Sequence, residues 1–292
     1  MILLVAVALA LPALAAAKDR VISRDRTAAN LSAFGQGLVW SRTAPDGRAR
    51  LVLRGFGAPG DVNVAPLAGG LFDPDLGEDA SGGIVAVYTR CAGVSGRNCD
   101  VYEFDFARDR ERKVPGASSS RCSEFAPSIW QGAIAFARSG PKGCGGLYVK
   151  GPHGSPLQLD SRVPADTDFR EGRVAYLLTP AAGVSAIRVF TIKEGKSRVV
   201  VSGLQSQGER TRVSSPIFGG RYVYFLFQDQ RRKRYTVGRS RGHGNSSVQF
   251  SDRSLPAAVE SIAVDGRKLY YANGRGVFEA TDPIPRFSAK DI

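Results

Sequence analysis

Gly132-Ala133-Ile134-Ala135-Phe136 is a glycine turn that runs straight into a short apolar strand ending in an aromatic ring. The same unit recurs as Gly35-Gln36-Gly37-Leu38-Val39-Trp40, Gly82-Gly83-Ile84-Val85-Ala86-Val87-Tyr88 and Gly172-Arg173-Val174-Ala175-Tyr176. Two more copies are Gly220-Arg221-Tyr222-Val223-Tyr224 and Gly266-Arg267-Lys268-Leu269-Tyr270. The leading glycines are 47, 50, 40, 48 and 46 residues apart, so six copies fill the chain beyond its first segment and leave no room for another domain.

Each copy continues with a polar turn and a second run, such as Asp100-Val101-Tyr102-Glu103-Phe104-Asp105-Phe106 or Ala186-Ile187-Arg188-Val189-Phe190. A third short run, as in Ser197-Arg198-Val199-Val200-Val201, often closes the unit. The alternation of Tyr102, Phe104 and Phe106 is a strand signal, and no helical periodicity follows residue 17. Repeats of this length, each with apolar faces it cannot cover alone, predict an all-β fold: a six-bladed β-propeller of four-stranded antiparallel blades. A β-sandwich is the competing arrangement. The blades are expected near 28–66, 72–115, 118–160, 163–203, 207–250 and 255–287. The sixth lacks a clear outer strand, which residues 20–24 or else 286–289 could supply.

Pro127-Ser128-Ile129-Trp130-Gln131-Gly132-Ala133-Ile134-Ala135-Phe136-Ala137-Arg138, followed by Leu147-Tyr148-Val149, resembles a degenerate TolB-type or WD40-like propeller repeat. Pro216-Ile217-Phe218-Gly219-Gly220 is a weaker copy, and the stretch from Phe72 to Phe106 resembles exported actinobacterial proteins of unknown role. The resemblance implies a six-bladed propeller of an exported protein and is strongest over 118–150. The Ser-Pro-Asp-Gly part of the family turn is missing from every copy and the N-terminal domain of TolB is absent. No partner contact is therefore carried over.

The first seventeen residues read as an export signal. Ile2 to Ala17 is uncharged, apolar through Leu11, and ends in Ala13-Leu14-Ala15-Ala16-Ala17, which fits an A-x-A cleavage site. No Lys or Arg precedes the apolar run, and whether the segment is removed or kept as an anchor stays open. Residues 18–292 are the expected propeller domain, with no membrane span once the signal is cleaved and an extracytoplasmic location. The 292-residue chain carries a net charge of +13, with only two histidines and four cysteines. That composition excludes a His-rich metal centre, and no cofactor is expected.

In a propeller blade with strands A to D from the axis outward, the D–A and B–C loops share one face and the A–B and C–D turns the other. Cys91 and Cys99 flank the B–C loop of the second blade, while Cys122 opens strand A of the third and Cys144 sits in its B–C loop. An even number of cysteines in an exported chain favours disulfides, here Cys91–Cys99 and Cys122–Cys144. Zinc is the alternative, against which no C-x-x-C spacing occurs. Arg231-Arg232-Lys233-Arg234 falls in the B–C loop of the fifth blade, with Arg48, Arg97 and Lys142 in B–C loops of other blades. The face bearing the cysteines is thus expected to be basic and to attract an anionic partner, although a solvated hairpin tip would look the same.

Other motifs carry less. Gly55-Phe56-Gly57-Ala58-Pro59-Gly60 has the dinucleotide fingerprint but leads into no helix, and Ser139-Gly140-Pro141-Lys142 sits in a turn. Asp73, Asp75, Glu78 and Asp79 could offer oxygens to calcium, though without EF-hand spacing. His153 and His243 fall in C–D turns of different blades. Glu124, Asp168 and Glu260 on innermost strands are the carboxylates a propeller enzyme could use, or they line a wet channel. The leading expectation is an exported, disulfide-stapled binding module without catalysis, taking a protein or an anionic cell-envelope polymer through Arg231, Arg232, Lys233 and Arg234. Nucleic acid is a less favoured partner. The alternative is a hydrolase or lyase acting on an acidic polysaccharide.

Overall fold

The computed structural model describes residues 19–58, 60–92, 98–179, 184–203, 205–206, 209–242, 248–256, 258–281 and 287–289. The expected export signal, Arg97 and His243 lie outside the described residues. Six antiparallel sheets form a six-bladed β-propeller. Blade one comprises Ala29–Phe34, Gly37–Thr43, Ala49–Arg54 and Val62–Ala68 as strands A to D. Blade two uses Asp75–Glu78, Ile84–Cys91, Cys99–Asp105 and Arg110–Lys113; blade three Ser123–Trp130, Ala133–Ser139, Gly146–Lys150 and Leu157–Asp160. Blade four uses Asp166–Arg170, Arg173–Leu178, Ala186–Thr191 and Lys196–Ser202. Blade five is built on Glu209–Gly219, Tyr222–Asp229, Arg234–Ser240 and Gln249–Leu255.

Blade six closes the ring with two ends of the chain. Its strands A to C are Val259–Asp265, Lys268–Asn273 and Gly276–Glu279, and its fourth is Arg20–Ser23, with Arg20 opposite Glu279 and Val21 opposite Phe278. Tyr271 donates its hydroxyl to Asp19 at 2.6 Å, and Arg20 pairs with Glu279. Just beyond this strand, Asp25 accepts the indole N–H of fully buried Trp40 at 2.8 Å. Phe287–Ala289 joins the outer edge of blade five, where Phe250 faces Ser288.

The repeat unit has a direct physical reading. Gly132 takes a left-handed backbone (φ 73°) in the A–B turn, and a Cβ there would lie 2.6 Å from the backbone nitrogen of Ala80 in blade two. The close approach lets Gly132 donate its N–H to the carbonyl of Glu78 at 2.8 Å, so the glycine both turns the chain and docks the blade. The strand that follows is buried on both faces. Ala135 packs towards blade four, whereas Ile134 and Phe136 pack towards blade two. Among the described residues each pair of neighbouring blades shares one such hydrophobic cluster, from Val39, Leu51, Ala86 and Tyr88 between blades one and two to Leu38, Trp40, Ala263 and Ala272 between six and one. Burial of this apolar area, at roughly 25 cal/mol per Å², drives the stacking that no single blade could sustain.

Candidate functional site

The six A strands surround a central cavity of about 420 Å³. All of them enter from the D–A side, so their first residues line one mouth and their last residues the other. The D–A mouth is edged by Asp73, Asp166 and Glu260 with Arg212, and the far mouth by Phe34, Trp130 and Arg170. Arg170 lies over the Trp130 ring, its guanidinium carbon 4.9 Å from the ring centre.

Two kinds of inner strand alternate around blades one to five. Blades one, three and five carry a bulge, with register shifts between Ala29 and Ser32, Phe125 and Ser128, and Ser214 and Ile217. Each bulge contains a left-handed residue: Asn30, Ala126 and Ser215, with φ of 52°, 49° and 51°. Blades two and four pair without a shift and instead carry Asp73-Pro74-Asp75 and Asp166-Thr167-Asp168.

These aspartates tie blade to blade. Ile129 donates its backbone N–H to Asp75 Oδ2 at 2.8 Å, and Phe218 donates its own to Asp168. Asp73 accepts from Thr89 N and Thr89 Oγ1, both at 2.6 Å, and from Ala126 N at 2.8 Å. Hydroxyls take the same role elsewhere: Leu76 N donates to Ser32 Oγ at 3.0 Å, Leu31 N to Ser261 Oγ at 3.2 Å, and Ser128 Oγ lies 2.9 Å from Thr167 Oγ1. Backbone N–H groups on the inner strands, those of Leu31 and Ala126 within bulges, thus find side-chain acceptors on a neighbouring blade, as buried donors must.

Crowding four carboxyl groups in this wall disfavours their charged forms. Burial pushes Asp166 up to about 7, helped by the charges of Asp168 and Asp73. Asp168 rises to about 6 through burial, against the opposing hydrogen bond from Phe218. Burial also raises Asp73, and raises Asp75 well above the usual carboxylate range with Asp168 adding to the effect. The cavity wall therefore holds protons near neutral pH.

The three carboxylates expected on the inner strands divide two to one. Asp168 and Glu260 do line the cavity, but Glu124 does not: it faces its cross-strand partner Arg138, whose Nε donates to it at 2.8 Å between blades two and three. The acidic group proposed for calcium is split along its strand. Asp73 and Asp75 face the cavity, while Asp79 caps the A–B turn through Ser81 and Gly83. Among the described residues no three His, Cys, Asp or Glu side chains gather as metal ligands. Gly55 to Gly60 connects strands C and D of blade one, Ser139 to Lys142 leads into a B–C loop, and His153 is exposed in the C–D turn of blade three.

The rim of the D–A and B–C face is different in character. Cys91 and Cys99 are joined across the mouth of one B–C loop, and Cys122–Cys144 ties a D–A loop to the B–C loop of the same blade. Loop-closure entropy assigns these links about 2.6 and 3.4 kcal/mol respectively. Arg231, Arg232, Lys233 and Arg234 are all exposed between strands B and C of blade five. Arg232 stands 3.7 Å from Asp229 and Arg234 donates to Ser254 Oγ at 2.8 Å, while Arg231 and Lys233 form no ion pair among the described residues. Arg48 is neutralised within its own loop by Asp46 at 2.8 Å, and Lys142 is exposed.

No protein-family model matches the sequence, and no curated protein does. Solved structures do. The tricorn protease superposes with a TM-score of 0.60 at 12% identity over 91% of this chain, which spans 27% of that protease chain. A chain from a nidogen/laminin complex gives 0.59 at 10% identity, covering 87% of this chain and 92% of that one. The Aleuria aurantia lectin, a six-bladed β-propeller that recognises fucose, gives 0.51 at 14% identity over 93% and 97%. The fold is a β-propeller. At such identities the likeness extends to the fold alone, and a TolB structure from Acinetobacter baumannii, at 0.47 over 70% of this chain, supports nothing further.

The carboxylate ties escape a reading of the sequence, although the matching Asp-x-Asp motifs that open the A strands of blades two and four were a signal for them. No helix among the described residues is long and apolar enough to cross a membrane.

Proposed function

We propose that this chain is an extracytoplasmic binding module that takes an anionic macromolecule, most simply a cell-envelope polymer, on the rim of its D–A and B–C face. The observation that carries the proposal is the exposed run Arg231 to Arg234, where four adjacent cations meet, among the described residues, one carboxylate at 3.7 Å. The adjoining mouth mixes Arg212 with Asp73, Asp166 and Glu260 and offers no comparable run of cations, so a polyanion is held at the periphery. Two disulfides that staple loops of the same face, in blades two and three, are consistent with life outside the cytoplasm. A protein ligand with an acidic patch would use the same groups.

The second reading is a hydrolase or lyase that works from the cavity. What favours it is Asp166, held up to about 7 and so able to keep a proton for a leaving group. Asp75 and Asp168 speak against it, since both are engaged as acceptors of backbone N–H groups. Incubating the protein with polygalacturonate and with dextran, and measuring both retention and release of new chain ends, separates the two. Retention of the acidic polymer without chain cleavage supports the binding module; cleavage lost in Asp166→Asn supports the enzyme.

A further inference from the structure

On the opposite face of blade five, three guanidinium groups converge on one phenol ring. Tyr222 opens strand B directly after the A–B turn of Gly220 and Arg221. Strand C runs antiparallel beside it with Arg239 opposite Tyr224, so Arg239 and Arg241 project to the same side of the sheet as Tyr224 and Tyr222. The guanidinium carbons of Arg239, Arg221 and Arg241 lie 4.4, 5.3 and 5.9 Å from the centre of the Tyr222 ring. Tyr224 meets that ring edge-on at 6.3 Å, and Gln249 Oε1 accepts the Nε–H of Arg239 at 2.9 Å.

The corresponding place in blade four shows what is unusual here. Arg173, which also follows a turn glycine, lies 4.8 Å from the ring centre of Phe218 but has Glu171 at 3.7 Å to balance it. In blade five, Arg221 and Arg241 form no ion pair among the described residues. Hydrogen bonds from Arg241 and from Arg221, with the charges of Arg221 and Arg239, pull the Tyr222 hydroxyl below the usual phenol range. For Arg221 and Arg241, ring contacts engage the guanidinium faces, and apart from the Tyr222 hydroxyl no partner among the described residues takes their in-plane N–H donors. A multiply charged tetrahedral oxyanion is the ligand that such convergent forks fit.

We propose that Arg221 and Arg241, arranged by Tyr222 beside Arg239, form a binding site for a phosphate or sulfate group. It stands at the far end of strand B from Arg231 to Arg234, roughly 25 Å away along eight residues of strand. The site is therefore independent of the rim proposed above, and either can fail without the other.

The test uses the full mature chain titrated with inorganic phosphate, inorganic sulfate, glucose 6-phosphate and glucose. Calorimetry reads affinity, and the difference in phenolate absorbance between the wild type and a Tyr222→Phe variant, read across alkaline pH, follows Tyr222 among the nine tyrosines. Saturable binding of phosphate or sulfate, with the Tyr222 ionisation moved to higher pH as the bound anion offsets the guanidinium charge, is the expected result. Glucose 6-phosphate binding more tightly than inorganic phosphate marks an ester as the ligand; equal or weaker binding marks the free anion. Arg221→Gln with Arg241→Gln weakens binding roughly ten-fold or more, and Arg241→Lys, which keeps the charge but not the fork, weakens it by less. Serine at 231–234 leaves it unchanged. No saturable binding of either inorganic anion by the wild-type chain up to roughly 20 mM, or saturable binding that leaves the Tyr222 ionisation unmoved, overturns the proposal whatever the variants do.

Discussion

The cavity wall and the rim of the same propeller spend their charge in opposite ways. In the wall, Asp73 and Asp75 each accept two or more hydrogen bonds, and Asp73, Asp75 and Asp168 each accept a backbone N–H from an adjoining blade. At the rim, Arg231 to Arg234 extend into solvent from a hairpin tip, and among the described residues Asp229 is the one carboxylate within ion-pair distance of them. A charge bound into its surroundings is structural, and its loss strands buried donors. A charge left to water costs the fold little to remove and is available to a ligand. The two regions should therefore respond to mutation in opposite senses.

Opening the ring is the harshest way to test whether the wall is held as a unit. Removing residues 18–26 takes away the fourth strand of blade six together with the acceptors Asp19 for Tyr271 and Asp25 for Trp40. We expect a loss of about 4 kcal/mol or more in denaturant unfolding, because an edge strand and two buried donors are left unpaired. An unchanged midpoint would show that the wall does not depend on closure at blade six.

Within the wall, Asp73→Ala removes the acceptor of Thr89 N, Thr89 Oγ1 and Ala126 N at once. A cost of about 3 kcal/mol is expected from the stranded donors. The quadruple Ser variant of 231–234 should stay within about 0.5 kcal/mol of the wild type. If these magnitudes were reversed, the contrast between the two regions would collapse.

The wall also predicts a pH dependence with a definite sign. Asp73, Asp75, Asp166 and Asp168 have folded-state pKa values raised above those of the unfolded chain, so the folded form binds more protons between about 4 and 7. The contribution of Asp166 and Asp168 is fully present near pH 4 and is lost as pH rises through about 6 to 7, and Asp73 and Asp75 act with the same sign. Asp160 acts in the other direction at lower pH: burial opposes the shift, but hydrogen bonds from Arg162 and Tyr176 hold it down to about 2. Asp166→Asn, which mimics the protonated form, should be more stable than the wild type at pH 8 and nearly equal to it at pH 4.5. A constant difference between the two across that range would mean that Asp166 does not titrate there.

The blades were legible because their signal is local and repeated: a glycine that must take positive φ, then a strand buried on both faces, six times over. What the inner strands do was not legible. Their bulges at Asn30, Ala126 and Ser215 break the two-residue alternation, and a carboxylate such as Glu124 that counts as channel-facing turns instead between two blades to meet Arg138. Partners of Asp75 and Asp168 lie 54 and 50 residues away, a separation fixed only once neighbouring blades are stacked. The arginines around Tyr222 left a partial trace in the Gly-Arg pairs at 172–173, 220–221 and 266–267, but Arg239 and Arg241 join them through strand pairing alone.

The central claim, that the rim rather than the cavity meets an anionic polymer, is tested most directly by a salt series. Retention of polygalacturonate by the wild type and by the quadruple Ser variant is compared between 50 and 200 mM salt, about the range over which counterion release acts. The account predicts that wild-type affinity falls roughly ten-fold or more across the series, and that the variant binds more weakly with a visibly flatter dependence. Equal affinity and equal slope in the two proteins, with both folded, would contradict it.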